Sequence, residues 1–546
     1  MQEKEFNLLY EPWIRVMDND CSVKEISLVQ AIVDAHKYKG LCGDICTQDP
    51  PIMRLLLAVL HAVFERVDED GNDYPVEDYD GAINRWKELW QLKRFPEKPV
   101  KDYLEKYKER FWLFHPERPF FQVPAAKRGT EYKAYKLNGA ISESSNKIRL
   151  FSDRKGEEKN ILTYGEAARW LLYVNAFDDT SAKPTKEGKA GSDDKLPSPG
   201  AGWLGKLGFV YISGENLYET LMYNLTLLKN GEENWESCTP VWELDKPREK
   251  ERTEIPLPND AAKLLTLQSR RLILDREGEQ VTGFHLLGGD FFPKENAFSE
   301  QMTVWVGIKD KKGNVNDYQP KRHDKSKQMW RDFSAYATCK EGRHMPGVVR
   351  WNNLLQSASI VNGNTSVNLN IASVQYGDKD FFVTDQFADS LRIHANILSN
   401  AGEIYQMCIL DEIDRCDKIS GFLSTLAKEL FLASGGDPKK VEKWDSPVLS
   451  AAKESFFSKI DMPFRQWLAG LDACDTHKTR ENKILLWRER SEKIAYDLAK
   501  QMVDDAGPTA FVGKTVSDKN GNERFYSTSM AYNNYYRKMK ELQEGR

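Results

Sequence analysis

The chain lacks any run of about 18 apolar residues, the length a bilayer crossing demands, so no transmembrane helix and no membrane partner are expected. Its opening, MQEKEFNLLYEPWIRV, has neither the basic lead nor the continuous apolar stretch of a secretory signal, and a cytoplasmic location is expected. Cysteine is sparse: eight residues, at 21, 42, 46, 238, 339, 408, 416 and 474, are scattered in the way of reduced thiols and not of a disulfide framework. Cys21 and His36 could in principle join Cys42 and Cys46 in a zinc set, but ordinary thiols are the favoured reading, with no metal and no cofactor expected. An excess of one charge is missing too. Lys and Arg total 78 against 83 Asp and Glu, a net charge of −5, which excludes a uniformly basic coat while leaving room for a local basic surface. There is no Gly-rich GxxxxGK[ST] phosphate loop, no HExxH and no GxSxG turn, and no repeat of fixed period.

What is present is an ordinary globular mix, 40% hydrophobic and 29% charged over 546 residues, enough for two large domains or several small ones. Residues 7–16 read as an entering strand. Asp49 before Pro50-Pro51 reads as an N-cap, and 52–64 is apolar on all sides, the pattern of a buried helix. Residues 68–80 form an acidic connection, and 264–305 contain a hairpin turning at 276–279. A second hairpin fits 368–384, with a two-residue Gly377-Asp378 loop in which glycine supplies positive φ. From 386 onward the spacing turns helical. Segments 386–409, 411–434, 447–470 and 477–506 suggest an antiparallel four-helix bundle, followed by a basic, Tyr-rich helix at 528–543. The expected fold class is α+β: a large mixed α/β domain over 1–385, then a helical bundle domain over 386–546.

Three features carry candidate chemistry. The stretch 178–208 is a Gly/Pro/Ser/Lys loop of a length that is usually either disordered or functional, and Lys183, Lys186, Lys189, Lys195 and Lys206 place positive charge along it at intervals that suit a phosphate backbone. The 377–378 turn is compact enough to be pushed between base pairs. The segment 321–350 is locally basic, read either as a solvated helix face or as a nucleic-acid contact. Asp178 and Asp179 are adjacent carboxylates that could hold Mg²⁺ in a phosphodiesterase, although a solvated helix end is the favoured reading. A pure protein scaffold is the third possibility.

Seven motifs in order then carry a resemblance. They are 6-FNLLYEPWI-14, 115-HPERPFFQ-122, 145-SNKIRLFS-152, 203-WLGKLG-208, 267-LQSRR-271, 321-KRHD-324 with Trp330-Arg331, and 464-FRQWL-468. The chain resembles the CasA family, the large subunit of the type I-E CRISPR surveillance complex Cascade. The resemblance implies a non-enzymatic, DNA-binding subunit with a C-terminal four-helix bundle. Such a subunit recognises the protospacer-adjacent motif in double-stranded DNA, wedges the duplex open for CRISPR RNA pairing (R-loop formation), and helps recruit the helicase-nuclease that serves antiviral defence. It also implies site residues. Ser181, Ala182, Lys183, Gly200, Ala201, Gly202 and Lys206 fall in the loop that enters the motif's minor groove. Gln375, Tyr376, Gly377, Asp378 and Lys379 fall at the wedge hairpin, where Asp378 departs from the polar residues of relatives. Asn146, Arg149, Leu150 and Phe151 fall in a loop facing the guide RNA and neighbouring Cascade subunits. No lysine matches a further DNA contact near Gly288-Gly289, for which Lys294 is a weak substitute.

Overall fold

A computed structural model describes residues 4–141, 152, 154–181, 200–236, 238–337, 343–517 and 523–545. The chain divides into two compact units: Met1–Ser326 with Ala335–Gly363 and Val367–Ser390, and Lys327–Ser334 with Asn364–Ser366 and Leu391–Arg546. Among the described residues no helix is long and apolar enough to cross a membrane.

The core of the first unit is set by two helices whose sequences leave no polar stripe. In α1 (Asp49–Phe64) every residue from Pro50 to Phe64 is buried, as its all-round apolar pattern demands. The expected cap differs. Gln48 is the N-cap, while Asp49 lies inside the first turn and accepts from the Gly43 amide at 2.8 Å. Burial there lifts the Asp49 carboxyl to about 7. α2 (Tyr164–Phe177) starts at a Thr163/Glu166 capping box and buries every residue but Glu166.

Around these helices lie small sheets. One has the order β3-β4-β1, from β1 (Thr130–Lys133), β3 (Arg270–Glu277) and β4 (Gln280–Gly288). β3 and β4 pair antiparallel and close with Glu277 opposite Gln280, at the turn the sequence indicates. A second has the order β6-β5-β2, from β2 (Val210–Ser213), β5 (Ser366–Tyr376) and β6 (Val383–His394).

In the second unit, α3 (Glu403–Ala433), α4 (Pro447–Ala469), α5 (His477–Asp505) and α6 (Thr528–Gln543) are the long elements. The chain is thus a mixed α/β fold ending in a helical region. Two expectations change. Residues 386–394 are strand, with Leu391 and Ile393 buried between exposed Ser390 and Arg392, a period of two and not of 3.6. The break expected at 410 is absent, because α3 runs through it, so the Tyr-rich 528–543 segment supplies the fourth long helix. The core of this unit is aromatic. Trp330 stacks on Phe464 with centroids 4.0 Å apart and donates to Asp461 at 2.8 Å, while Trp467 stacks on Trp487 at 5.5 Å.

Candidate functional site

The long loop leaves α2 at Asp178 and returns at Gly200, and one side chain holds both ends. Arg270, wholly buried at the start of β3, donates to the Asp178 carboxylate and, through Nη2, to the carbonyls of Asp179 and Gly200 at 2.8 Å each. Its Nη1 reaches the Ser269 carbonyl at 2.7 Å, and the Gly202 amide closes the neck onto the Asp178 carbonyl at 2.9 Å. A guanidinium suits this position because its fork of N–H donors satisfies several acceptors in one plane.

Asp178 and Asp179 are therefore not a solvated helix end. They are 9% and 5% exposed. Asp179 faces Lys136 at 3.4 Å and accepts from the Ser181 amide and hydroxyl. Both carboxylates are engaged by protein donors, which counts against their use as metal ligands. Among the described residues no group of three or more His, Cys, Asp or Glu side chains is placed to hold a metal.

The return limb is anchored in the core. Trp203 donates from Nε1 to Glu300 at 2.7 Å, and Glu300 pairs with Arg54 at 2.9 Å, both side chains buried. Ala201 and Gly202 are buried, and a Cβ on Gly202 would collide with the Ala176 carbonyl. Packing against α2 thus accounts for Ala201 and Gly202, and both are withdrawn from the candidate contact surface. Lys206 differs: it is only part-buried, and its amine lies near Gly200, whose φ is +64°. Burial, then the charges of Arg270, Lys294 and Arg322, press its pKa down from 10.5 to about 8. Arg270 and Arg322 are themselves paired with Asp178 and Asp380, so what Lys206 brings to the neck is a single part-buried amine.

The hairpin meets this neck directly. Thr180 donates from its amide to the Asp380 carbonyl at 3.2 Å and from its hydroxyl to the Lys379 carbonyl at 2.9 Å. Tyr376 is buried and donates to the Phe177 carbonyl at the end of α2 at 2.7 Å, where burial raises its pKa. A Cβ at position 205 would overlap the Tyr376 hydroxyl, so the glycine of 203-WLGKLG-208 is the space the hairpin's foot occupies. Tyr376 is consequently an anchor, not part of the exposed tip.

The tip is longer than the two-residue loop expected. It spans 377–382 and contains the 3-10 turn Asp378–Asp380. Gly377 has φ −71°, and the left-handed residues are Lys379 (φ 55°), Asp380 (φ 60°) and Phe382 (φ 45°). Each costs on the order of 1 kcal/mol or more, so the surroundings must hold them. Arg322 does so by forking Asp380 at 2.6 and 2.8 Å while its guanidinium lies 4.9 Å from the Tyr376 ring centroid. Lys325 pairs with Asp385 at 2.8 Å. Gln375, Asp378 and Lys379 are exposed, as is Phe381.

The sequence reading did not single out Thr180, Arg270, Arg322 or Phe381 as site residues. Arg270 and Arg322 do stand inside two of the quoted motifs, but their partners lie 91 and 58 residues away and no spacing signals them. Ala182, Lys183, Asn146, Arg149, Leu150 and Phe151 lie outside the described residues. Of the two readings of 321–350, the solvated helix face does not form as one element: the described residues there include the short Met329–Asp332 and Ser334–Ala337 turns, the two-residue strand Arg343–His344 and the helix Gly347–Ser357, and Arg322 and Lys325 are paired with the hairpin's carboxylates.

Comparison with known proteins bears on this geometry. The model of the CRISPR-associated protein Cse1 family matches residues 7–498. The chain belongs to the Cse1 (CasA) family. The CRISPR-associated protein CasA/Cse1 of Thermus thermophilus is 30% identical over 346 residues, which are 62% of this chain and 62% of that relative's length. The crystal structure of Thermobifida fusca Cse1 superposes with a TM-score of 0.78 at 25% identity, covering 98% of this chain and 96% of that one. A chain of a CRISPR RNA-guided surveillance complex shares the fold at a TM-score of 0.61 and 16% identity, over 92% of this chain and 100% of that one. The Cse1 motifs noted in the sequence fall mostly on packing residues. Gln122, for example, donates to the Leu113 carbonyl at 2.7 Å and accepts from the Leu274 amide at 2.9 Å.

Proposed function

We propose that this Cse1-family chain serves as the large, non-catalytic subunit of a CRISPR RNA-guided surveillance complex. It inspects double-stranded DNA for a short flanking motif, opens the adjacent base pairs so that guide RNA can pair, and offers a surface to a helicase-nuclease. Family membership and the fold shared with a chain of such a complex support the assembly. The observation that carries the DNA-reading role is the joining of loop neck and hairpin. Thr180, Gly205 and Tyr376 lock the two together, beside the Lys206 amine. A loop that follows a minor groove reads mainly A·T against G·C, so relaxed motif recognition follows. A tight tip beside it is placed to enter the stack next to the motif, at an unstacking cost of about a few kcal/mol per step.

The test is duplex binding by the chain alone and by the chain with its guide-loaded partners, using motif-bearing and motif-lacking DNA. Discrimination that appears only in the assembled complex supports the reading. Equal affinity for both duplexes, or failure to join guide-loaded partners, overturns it.

A further inference from the structure

The hairpin tip carries two adjacent aromatic residues that the fold treats in opposite ways. Phe382 is turned inward: a Cβ on Gly377 would stand 2.6 Å from its Cζ, so the ring lies over the glycine and closes the turn. Phe381, one residue earlier, is 43% exposed at the end of the hairpin. A single exposed ring on a protein surface ordinarily needs no explanation. This one, however, sits on a segment with three left-handed non-glycine residues, held by the Arg322 fork on Asp380 and the two Thr180 bonds to the tip carbonyls. The Gly377 amide adds bonds to the Phe381 and Phe382 carbonyls at 3.2 and 3.1 Å. Contacts this numerous hold the backbone that carries the ring in one conformation. The same contacts trim the tip's acidity. Arg322 covers Asp380 and Lys325 covers Asp385, so two of the carboxylates that phosphates would repel are neutralised.

We propose that Phe381 is the group that enters the opened duplex, stacking on the base exposed at the fork, and that Arg322 and Thr180 are positioning residues that present it. The ring offers a flat apolar face that any base can stack upon, so it opens DNA without reading its sequence, leaving recognition to the loop. On this proposal the stacking role falls to Phe381 and not to Asp378, which is also exposed on the tip. The inference rests on the duplex-opening function proposed above.

The test uses the assembled guide-loaded complex and a motif-bearing duplex with a fluorophore and quencher on opposite strands next to the motif. Phe381→Ala is expected to slow strand separation about tenfold while changing initial binding less than threefold. Phe381→Trp retains separation, and Asp378→Ala leaves it unchanged. Arg322→Gln slows separation, and the exchange R322D/D380R restores part of it. Normal opening by Phe381→Ala overturns the inference, as does equal loss of binding and opening. A complex in which 377–382 is replaced by a short Gly/Ser link separates the two failures. If that complex opens DNA normally, the duplex-opening function itself is wrong. If it fails to open DNA while Phe381→Ala succeeds, only the assignment to Phe381 is wrong.

Discussion

Replacing Lys206 with Met should make the protein more stable and less able to hold DNA. Partial burial, then the charges of Arg270, Lys294 and Arg322, press the wild-type amine down from 10.5 to about 8 in the folded state. At 1.36 kcal/mol per pH unit that drop is roughly 3 kcal/mol, which partial solvent access trims to about 1–3 kcal/mol. The sign follows from linkage. A lysine whose folded-state pKa lies below its unfolded value adds no cost above pH 10.5, a growing cost as pH falls toward 8, and the full cost below it. Methionine has similar length and no charge, so at pH 7 Lys206→Met should gain about 1–3 kcal/mol by urea denaturation, and the gap should close as pH rises from 8 to 10. In the same preparation, affinity of the assembled complex for motif-bearing duplex should fall if, as proposed, the neck of the loop lies against the phosphate backbone. A variant less stable than wild type at pH 7, or a stability gap that ignores pH, would refute the claim that the charge on Lys206 is held at a cost to the fold.

Three further outcomes follow from the same geometry. Asp49→Asn keeps the acceptor for the Gly43 amide and removes a buried carboxyl lifted to about 7. The wild-type group stabilises the fold below the ordinary carboxylate range and loses that contribution as pH rises through 7. The variant should therefore exceed wild type by about 2 kcal/mol at pH 8 and by nothing near pH 4, measured by denaturation across pH. Arg270→Ala strips the clamp from Asp178 and from the Asp179 and Gly200 carbonyls, and should cost about 3–5 kcal/mol by the same assay. Gly205→Ala forces a methyl into the Tyr376 hydroxyl and should cost about 1–3 kcal/mol; in a double-mutant cycle with Tyr376→Leu the two losses should not add.

The legible parts of the fold were those written in local periodicity. The apolar run 52–64 gives a buried helix, and the 264–305 strands pair with the turn where Gly278 takes φ +59°. The helix expected to begin at 386 is strand to 394: Leu391 and Ile393 alternate with exposed neighbours, a period-two signal too short to stand out before the long helical stretch, and pairing in the β6-β5-β2 sheet fixes it. The site was legible in outline and hidden in detail. Glycine, lysine and a Gly-Asp turn announced a loop and a hairpin, but the joints between them are single long-range contacts: Arg270 to 178–200, Thr180 to 379–380, Tyr376 to Phe177. Asp178 and Asp179 show the converse. Adjacent carboxylates at a loop entrance read as solvated or metal-binding, whereas burial against Arg270 and Lys136 makes them structural.

The central claim is that loop neck and hairpin tip act on one stretch of DNA, and photo-crosslinking measures this most directly. A crosslinking side chain placed at 200 or at 378, in the guide-loaded complex, is expected to form adducts with motif-bearing duplex within a few nucleotides of each other, at the junction between motif and target. Adducts that form equally well on motif-lacking DNA, that fall at unrelated positions from the two sites, or that come from neither site would contradict the account.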